Sequence, residues 1–217
     1  MAKTKIGVLI SGRGSNLSAL INAAKDPDYP AEICLVISNR PKAKGLEIAH
    51  EAGISQCVID HKAFETRDEF DAALSERLQE AGIEYVCLAG FMRILSPTFV
   101  TEWRGRVINI HPSLLPAFKG LNVHERMIDA GVKIAGCTVH FVDAQMDGGA
   151  IIGQAAVPIR ADDTPEDLAA RILRQEHKLY AECVRLVAKQ KVRISGGKAI
   201  LDAPIEDTAT LTNPAVD

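Results

Sequence analysis

Lys5-Ile6-Gly7-Val8-Leu9-Ile10-Ser11-Gly12-Arg13-Gly14-Ser15-Asn16-Leu17 decides the fold. Residues 5–11 form an apolar run of strand length, and a glycine turn follows it directly. Residues 16–24 then carry helical spacing. The same alternation recurs downstream. Residues 32–38 read as a strand. Residues 43–52 read as a helix with Gly53 just past its end, where helices commonly stop. Residues 56–59 are a short strand, 67–81 a long amphipathic helix closed by Gly82, and 85–89 and 107–111 two more strands. Strands alternating with helices argue for a parallel, doubly wound α/β sheet.

After His111 the pattern changes. Residues 112–122 form a proline-punctuated loop, and 123–130 a short helix. Two long strands, 134–142 and 150–159, flank Asp147-Gly148-Gly149, which suits an antiparallel hairpin. Thr164-Pro165-Glu166-Asp167 opens a final helix reaching about residue 190. Thr caps it, Pro fits its first position, and Asp closes a capping-box variant. The expected fold class is thus α/β, a mostly parallel sheet with a C-terminal antiparallel strand and a long last helix. Residues 1–190 make one domain, with a phosphate-binding half (1–105) and a catalytic half (106–190). Residues 191–217 are a tail whose Thr/Pro/Asp-rich end is expected to be mobile.

The chain has 217 residues, a net charge of -3, 47% hydrophobic and 24% charged residues. No basic block marks a nucleic-acid groove, so any anion is bound locally. No apolar stretch reaches membrane-spanning length. The start, Met1-Ala2-Lys3-Thr4-Lys5, runs into a strand and leaves no room for a signal peptide, so a cytoplasmic location is expected. Cys34, Cys57, Cys87, Cys137 and Cys183 form no Cys-x-x-Cys pair and read as small core residues of a reducing compartment. His111, His124 and His140 lack metal-site spacing, and no metal is expected.

Asn109-Ile110-His111-Pro112 ends the fifth strand. Asn109 and His111 are two apart and therefore share a face. Strand C-terminal ends are where open α/β sheets bind ligands. With the acidic Asp147 of the later turn, an amide, an imidazole and a carboxylate are at hand. These are the parts that stabilise an oxyanion and move a proton in acyl transfer. The glycine turn, Gly12 to Asn16, suits an anion at a helix N-terminus. The dinucleotide fingerprint fails there. Position 17 is Leu, and Ser38-Asn39-Arg40 stands where an acidic residue would follow the second strand, although Arg40 could meet a 2′-phosphate. Leu88-Ala89-Gly90-Phe91-Met92-Arg93-Ile94-Leu95 is an apolar loop with one arginine. It could clamp a flat ligand bearing a carboxylate, or simply cross over with Arg93 reaching water. Glu176 lies on the apolar stripe of the last helix, where a carboxylate needs either a basic partner or a ligand.

Taken together, residues 11–16, 88–96, 109–116 and 139–142, with Asp147-Gly148-Gly149, resemble the folate-dependent phosphoribosylglycinamide formyltransferases. The resemblance covers the chain to about residue 190. It implies a Rossmann-like formyltransferase fold. It further implies formyl transfer from 10-formyltetrahydrofolate, the co-substrate, to the amine of phosphoribosylglycinamide in purine synthesis. By the same resemblance Asn109, His111 and Asp147 are catalytic. Asn109 donates to the oxyanion, His111 passes a proton to the leaving folate nitrogen, and Asp147 favours the charged imidazole. Gly14, Ser15, Asn16, Gln175 and Glu176 hold the ribotide. Arg67, Met92, Arg93, Ile94, Leu95, Asn109, Val142 and Asp143 meet the folate, and residues 143–147 close on its pterin. The implied partners are small molecules, with no nucleic acid and no membrane, in a monomer or homodimer.

Four rivals stand beside this reading. A formyltetrahydrofolate hydrolase would be expected to carry an N-terminal regulatory domain, and a tRNA formyltransferase a basic C-terminal one. An NADP-dependent reductase would use Arg40. A non-catalytic binding protein would not need the Asn109, His111 and Asp147 set.

Overall fold

A computed structural model describes residues 2–202, 211 and 213. Its main sheet has seven strands in the order β3-β2-β1-β4-β5-β6-β7. These are β1 (Thr4–Ile10), β2 (Ala31–Ser38), β3 (Gln56–Val58), β4 (Tyr85–Leu88), β5 (Val107–His111), β6 (Ile134–Phe141) and β7 (Ile151–Pro158). The first five are parallel. β6 runs antiparallel to β5, and β7 antiparallel to β6. The alternation read from the sequence is therefore the architecture observed. The β6–β7 hairpin also forms, closed by residues 142–150 rather than by a tight two-residue turn.

The chain starts in the middle of the sheet, winds outward through β2 and β3, and returns to β4 on the other side of β1. The order thus reverses between β1 and β4, and the crevice beyond their C-terminal ends is where such sheets bind ligands. Both faces are covered. Val8 and Ile10 point to α1 (Ser15–Ala24), α2 (Lys44–Glu51) and α6 (Pro165–Ala188), packing with Leu17, Leu46, Tyr180 and Val184. Leu9 points the other way, to α3 (Arg67–Glu80) and α4 (Pro97–Glu102), packing with Phe70, Leu74, Phe99 and Trp103. A strand buried on both sides must be apolar at every position, which is why β1 reads as a run and not as an alternation. A third cluster joins α5 (Val123–Asp129) to β6, β7 and the first turns of α6 through Met127, Cys137, Leu168 and Ile172.

Thr164 and Asp167 form the expected capping box of α6, and Thr66 and Glu69 form another on α3. α4 was not legible in advance, because six residues are too few for periodicity. Its signal is Ser96-Pro97, in which the Ser96 hydroxyl caps the Phe99 N–H and Pro97 occupies the first helical position. Residues 192–201, assigned to the tail, form an antiparallel hairpin of β8 (Val192–Ser195) and β9 (Lys198–Leu201). Gly196 and Gly197, both at positive φ, make its turn. The mobility expected of the Thr/Pro/Asp-rich end falls outside the described residues except at Leu211 and Asn213, and the Asn213 amide donates to the Lys133 and Ile159 carbonyls. No described helix is long and apolar enough to cross a membrane.

Candidate active site

The antiparallel β5–β6 register sets His140 opposite Asn109 and Thr138 opposite His111, all on one face of the sheet. The His140 Nδ1 lies 2.8 Å from the Phe141 carbonyl, which can only accept, so that nitrogen carries a hydrogen. Its Nε2 is then free to accept from Asn109 Nδ2 at 3.2 Å. Burial pushes His140 below the ordinary histidine range. The ring stays neutral, and its 3.9 Å approach to Asp147 is not an ion pair. The sequence reading did not include His140 among the site residues. Its signal was a polar side chain inside an apolar strand.

His111 faces two acceptors. Nε2 is 3.0 Å from the Phe118 carbonyl, and Nδ1 is 3.6 Å from Asp147 Oδ2. A neutral ring has a hydrogen for only one of them, whereas the imidazolium turns one toward each. Asp147 also accepts the Gly120 N–H at 2.9 Å and so ties loop 112–122 to loop 142–150. Phe118, Asn122 and Asp147 all hold positive φ. Such conformations cost energy and persist where the surroundings impose them, often at functional sites.

The fully buried Thr138 shapes the first of these loops. Its hydroxyl donates to the Ser113 carbonyl at 2.7 Å and accepts from the Leu115 N–H and from Gln154 Nε2, each at 3.0 Å. Ser113 in turn donates to the Ala117 carbonyl. This network aims the Phe118 carbonyl at His111. Gln154 was also absent from the sequence reading, although it too is a polar residue in an apolar strand.

At the glycine turn, α1 has no side-chain cap and no acidic residue in its first turn, so its leading N–H groups suit an anion. Gly14 has φ 78°, and a Cβ there would lie 2.6 Å from the Gly45 Cα of α2. The Gly45 N–H donates to the Gly12 carbonyl at 3.0 Å. Gly14 is therefore required by the helix contact alone, whatever the turn holds. Asn16 lies one position into the helix after Ser15 and donates to Glu176 Oε2 at 2.8 Å. Of the two partners foreseen for Glu176, the basic residue is not found among the described residues. Glu176 meets an amide instead. Burial pushes its carboxyl above the usual range, while Asn16 and the nearby His111 charge act against that rise. The Asn16 Oδ1 is buried without a partner among the described residues. Gln175, beside it, is half-buried.

The apolar loop divides its residues. Met92 and Ile94 are exposed, as are Leu121 and Met146 on the two neighbouring loops. Leu95 instead belongs to the α3–α4 core, and half-buried Val142 packs on it. Arg93 does not simply reach for water: its guanidinium sits 5.7 Å over the Phe70 ring. Arg67 is exposed at the first position of α3. Asp143 is exposed and accepts the Gln145 N–H. Arg40, the residue an NADP site would use, is exposed, and among the described residues no group of three metal-ligating side chains occurs.

The formyl transferase family model matches residues 4–184. The phosphoribosylglycinamide formyltransferase of Haemophilus influenzae is 43% identical over 198 residues, 91% of this chain and 93% of that protein. The trifunctional purine biosynthetic protein adenosine-3 of Gallus gallus is 52% identical over 192 residues, 88% of this chain, which spans only 19% of that protein's length. A solved glycinamide ribonucleotide transformylase 1 from Symbiobacterium toebii superposes with a TM-score of 0.90 at 48% identity, covering 92% of this chain and 94% of that one. On these matches the chain belongs to the formyl transferase family, among the phosphoribosylglycinamide formyltransferases.

Proposed function

We propose that the chain moves the formyl group of 10-formyltetrahydrofolate to the primary amine of phosphoribosylglycinamide, in the cytoplasm. The observation that carries this is His111, set between Asp147 and the Phe118 carbonyl and beside Asn109. The amine attacks the formyl carbon, a tetrahedral oxyanion forms, and the bond to folate N10 breaks. The amine loses a proton and N10 gains one, with no covalent enzyme intermediate. Asn109 gives one amide hydrogen to His140 and keeps the other for the oxyanion. The Nδ1 side of His111 is its looser contact and supplies the proton. Glu176 and Asn16 receive the ribotide beside the α1 N-terminus, where its phosphate binds. Met92, Ile94, Leu121 and Met146 cover the flat pterin, and Arg67 meets the folate's carboxylate tail.

The test is incubation with both substrates while formylated ribotide and tetrahydrofolate are followed. Equal amounts of the two products are expected. Formate released without ribotide would instead make the chain a hydrolase, and no turnover of either kind would overturn the proposal.

A further inference from the structure

Ser38-Asn39-Arg40 occupies the place where a dinucleotide site would put its ribose ligand, yet Asn39 is only 1% exposed. Its side chain is spent inside the protein. Asn39 Oδ1 accepts the Ser11 hydroxyl at 2.6 Å. The same hydroxyl accepts the Met92 N–H at 2.7 Å, and the Ser11 N–H donates to the Gly90 carbonyl at 3.1 Å. Asn39 is held from behind by His61, whose Nδ1 is 3.0 Å from the Asn39 carbonyl. His61 packs edge-on against Phe70, the ring beneath Arg93. Ser11 follows β1 and Asn39 follows β2, while Gly90 and Met92 follow β4. Three neighbouring strand ends are thus joined through one hydroxyl, at the point where the sheet order reverses.

We propose that Ser11 and Asn39 are positioning residues that clamp the 90–95 loop to the end of β1 and so set the affinity for the folate. This rests on the reading that the loop bears the folate. The loop has no regular structure, and Met92 and Ile94 project from it into water. Ser11 provides two of its tethers. A Ser11 hydroxyl bonded only to Met92 could rotate, and Asn39 fixes its hydrogen so that a lone pair faces the Met92 N–H. The glycine turn keeps separate anchors, through Gly45 to the Gly12 carbonyl and to Gly14. Loss of the clamp therefore acts on one ligand and spares the other.

Ser11→Ala, Asn39→Ala and the double variant are compared by calorimetric titration with tetrahydrofolate and, separately, with phosphoribosylglycinamide. Ser11→Ala is expected to weaken tetrahydrofolate about tenfold, the scale of one well-made hydrogen bond, and to leave the ribotide within about twofold. Asn39→Ala shifts the same ligand in the same direction, and the double variant is no worse than Ser11→Ala, because Asn39 acts through Ser11. Unchanged folate affinity in either folded variant overturns the clamp, and so does an equal loss for both ligands, which a merely structural role would give. Should Ser11→Ala fail to fold, Asn39→Ala decides alone. Ile94→Asp, on the exposed side of the loop, tests the underlying reading. If it leaves tetrahydrofolate binding intact, the folate sits elsewhere and the site assignment fails, whatever the clamp does.

Discussion

Asp147 holds φ 49°, a conformation that asparagine accepts as readily as aspartate. Asn can also keep an oxygen for the Gly120 N–H. Asp147→Asn should therefore preserve both loops and remove only the charge facing His111. Turnover is expected to fall on the order of 10²-fold or more with little change in either substrate's binding. Single-turnover rates near wild type would remove Asp147 from the chemistry. Glu176 makes a different case, because it is buried against an amide and its carboxyl titrates above the ordinary range. A carboxyl raised by folding favours the folded state most at low pH, where it is protonated in both states. That contribution is lost as pH climbs from the unfolded value through the raised one. Glu176→Gln keeps an oxygen for Asn16 and removes the titration. The variant should gain in melting temperature relative to wild type as pH rises through that window, while binding ribotide more weakly. Melting curves at several pH values check the first part. A difference that ran the other way, greatest in acid, would mean the carboxylate is stabilised by a cation instead.

The elements show which parts of this were readable in advance. β1, β2, β4 and β5 announced themselves because strands covered on both faces must be apolar throughout. Asn109 and His111 stood out as the polar interruption at the end of one of them. Thr138, His140 and Gln154 were harder to assign. What they do depends on the β5–β6 and β6–β7 registers, which place them against a loop from another part of the chain. The reason for Gly14 was hidden in the same way, since its Cβ direction is closed by α2. A substitution at Gly14 would damage helix contact and ligand site together. Gly45→Ala is a milder probe. Its new methyl would come within 2.5 Å of the movable Ile10 Cδ1 and 3.3 Å of Gly14 Cα. The expected cost is roughly 1–3 kcal/mol of overpacking, with α2 and the glycine turn pushed apart. Ribotide binding should weaken while tetrahydrofolate binding holds. If neither ligand responds, the turn does not seat the phosphate.

At the scale of the molecule, the division into a phosphate-binding half and a catalytic half meets one long element that touches both. α6 carries Glu176 against Asn16 of the first half and packs Ile172 and Leu168 against the second. One turn beyond Glu176 the Tyr180 hydroxyl, fully buried, lies 3.1 Å from the Leu88 carbonyl on β4 and 3.0 Å from the Ile108 carbonyl on β5. Those two strands lie on either side of the proposed boundary, and each carries a segment of the site just beyond the bonded carbonyl. The halves are therefore expected to unfold together. Calorimetry should give a single transition whose measured and van't Hoff enthalpies agree. Tyr180→Phe removes a fully buried hydroxyl that bonds to the backbone of two strands. It should cost roughly 1–3 kcal/mol, lowering the melting temperature by a few degrees per kcal/mol in a chain of this size. The transition should remain single, because α6 still packs its apolar stripe on both halves. Two resolved transitions in the wild-type protein would show that the halves fold separately and that α6 belongs to only one of them.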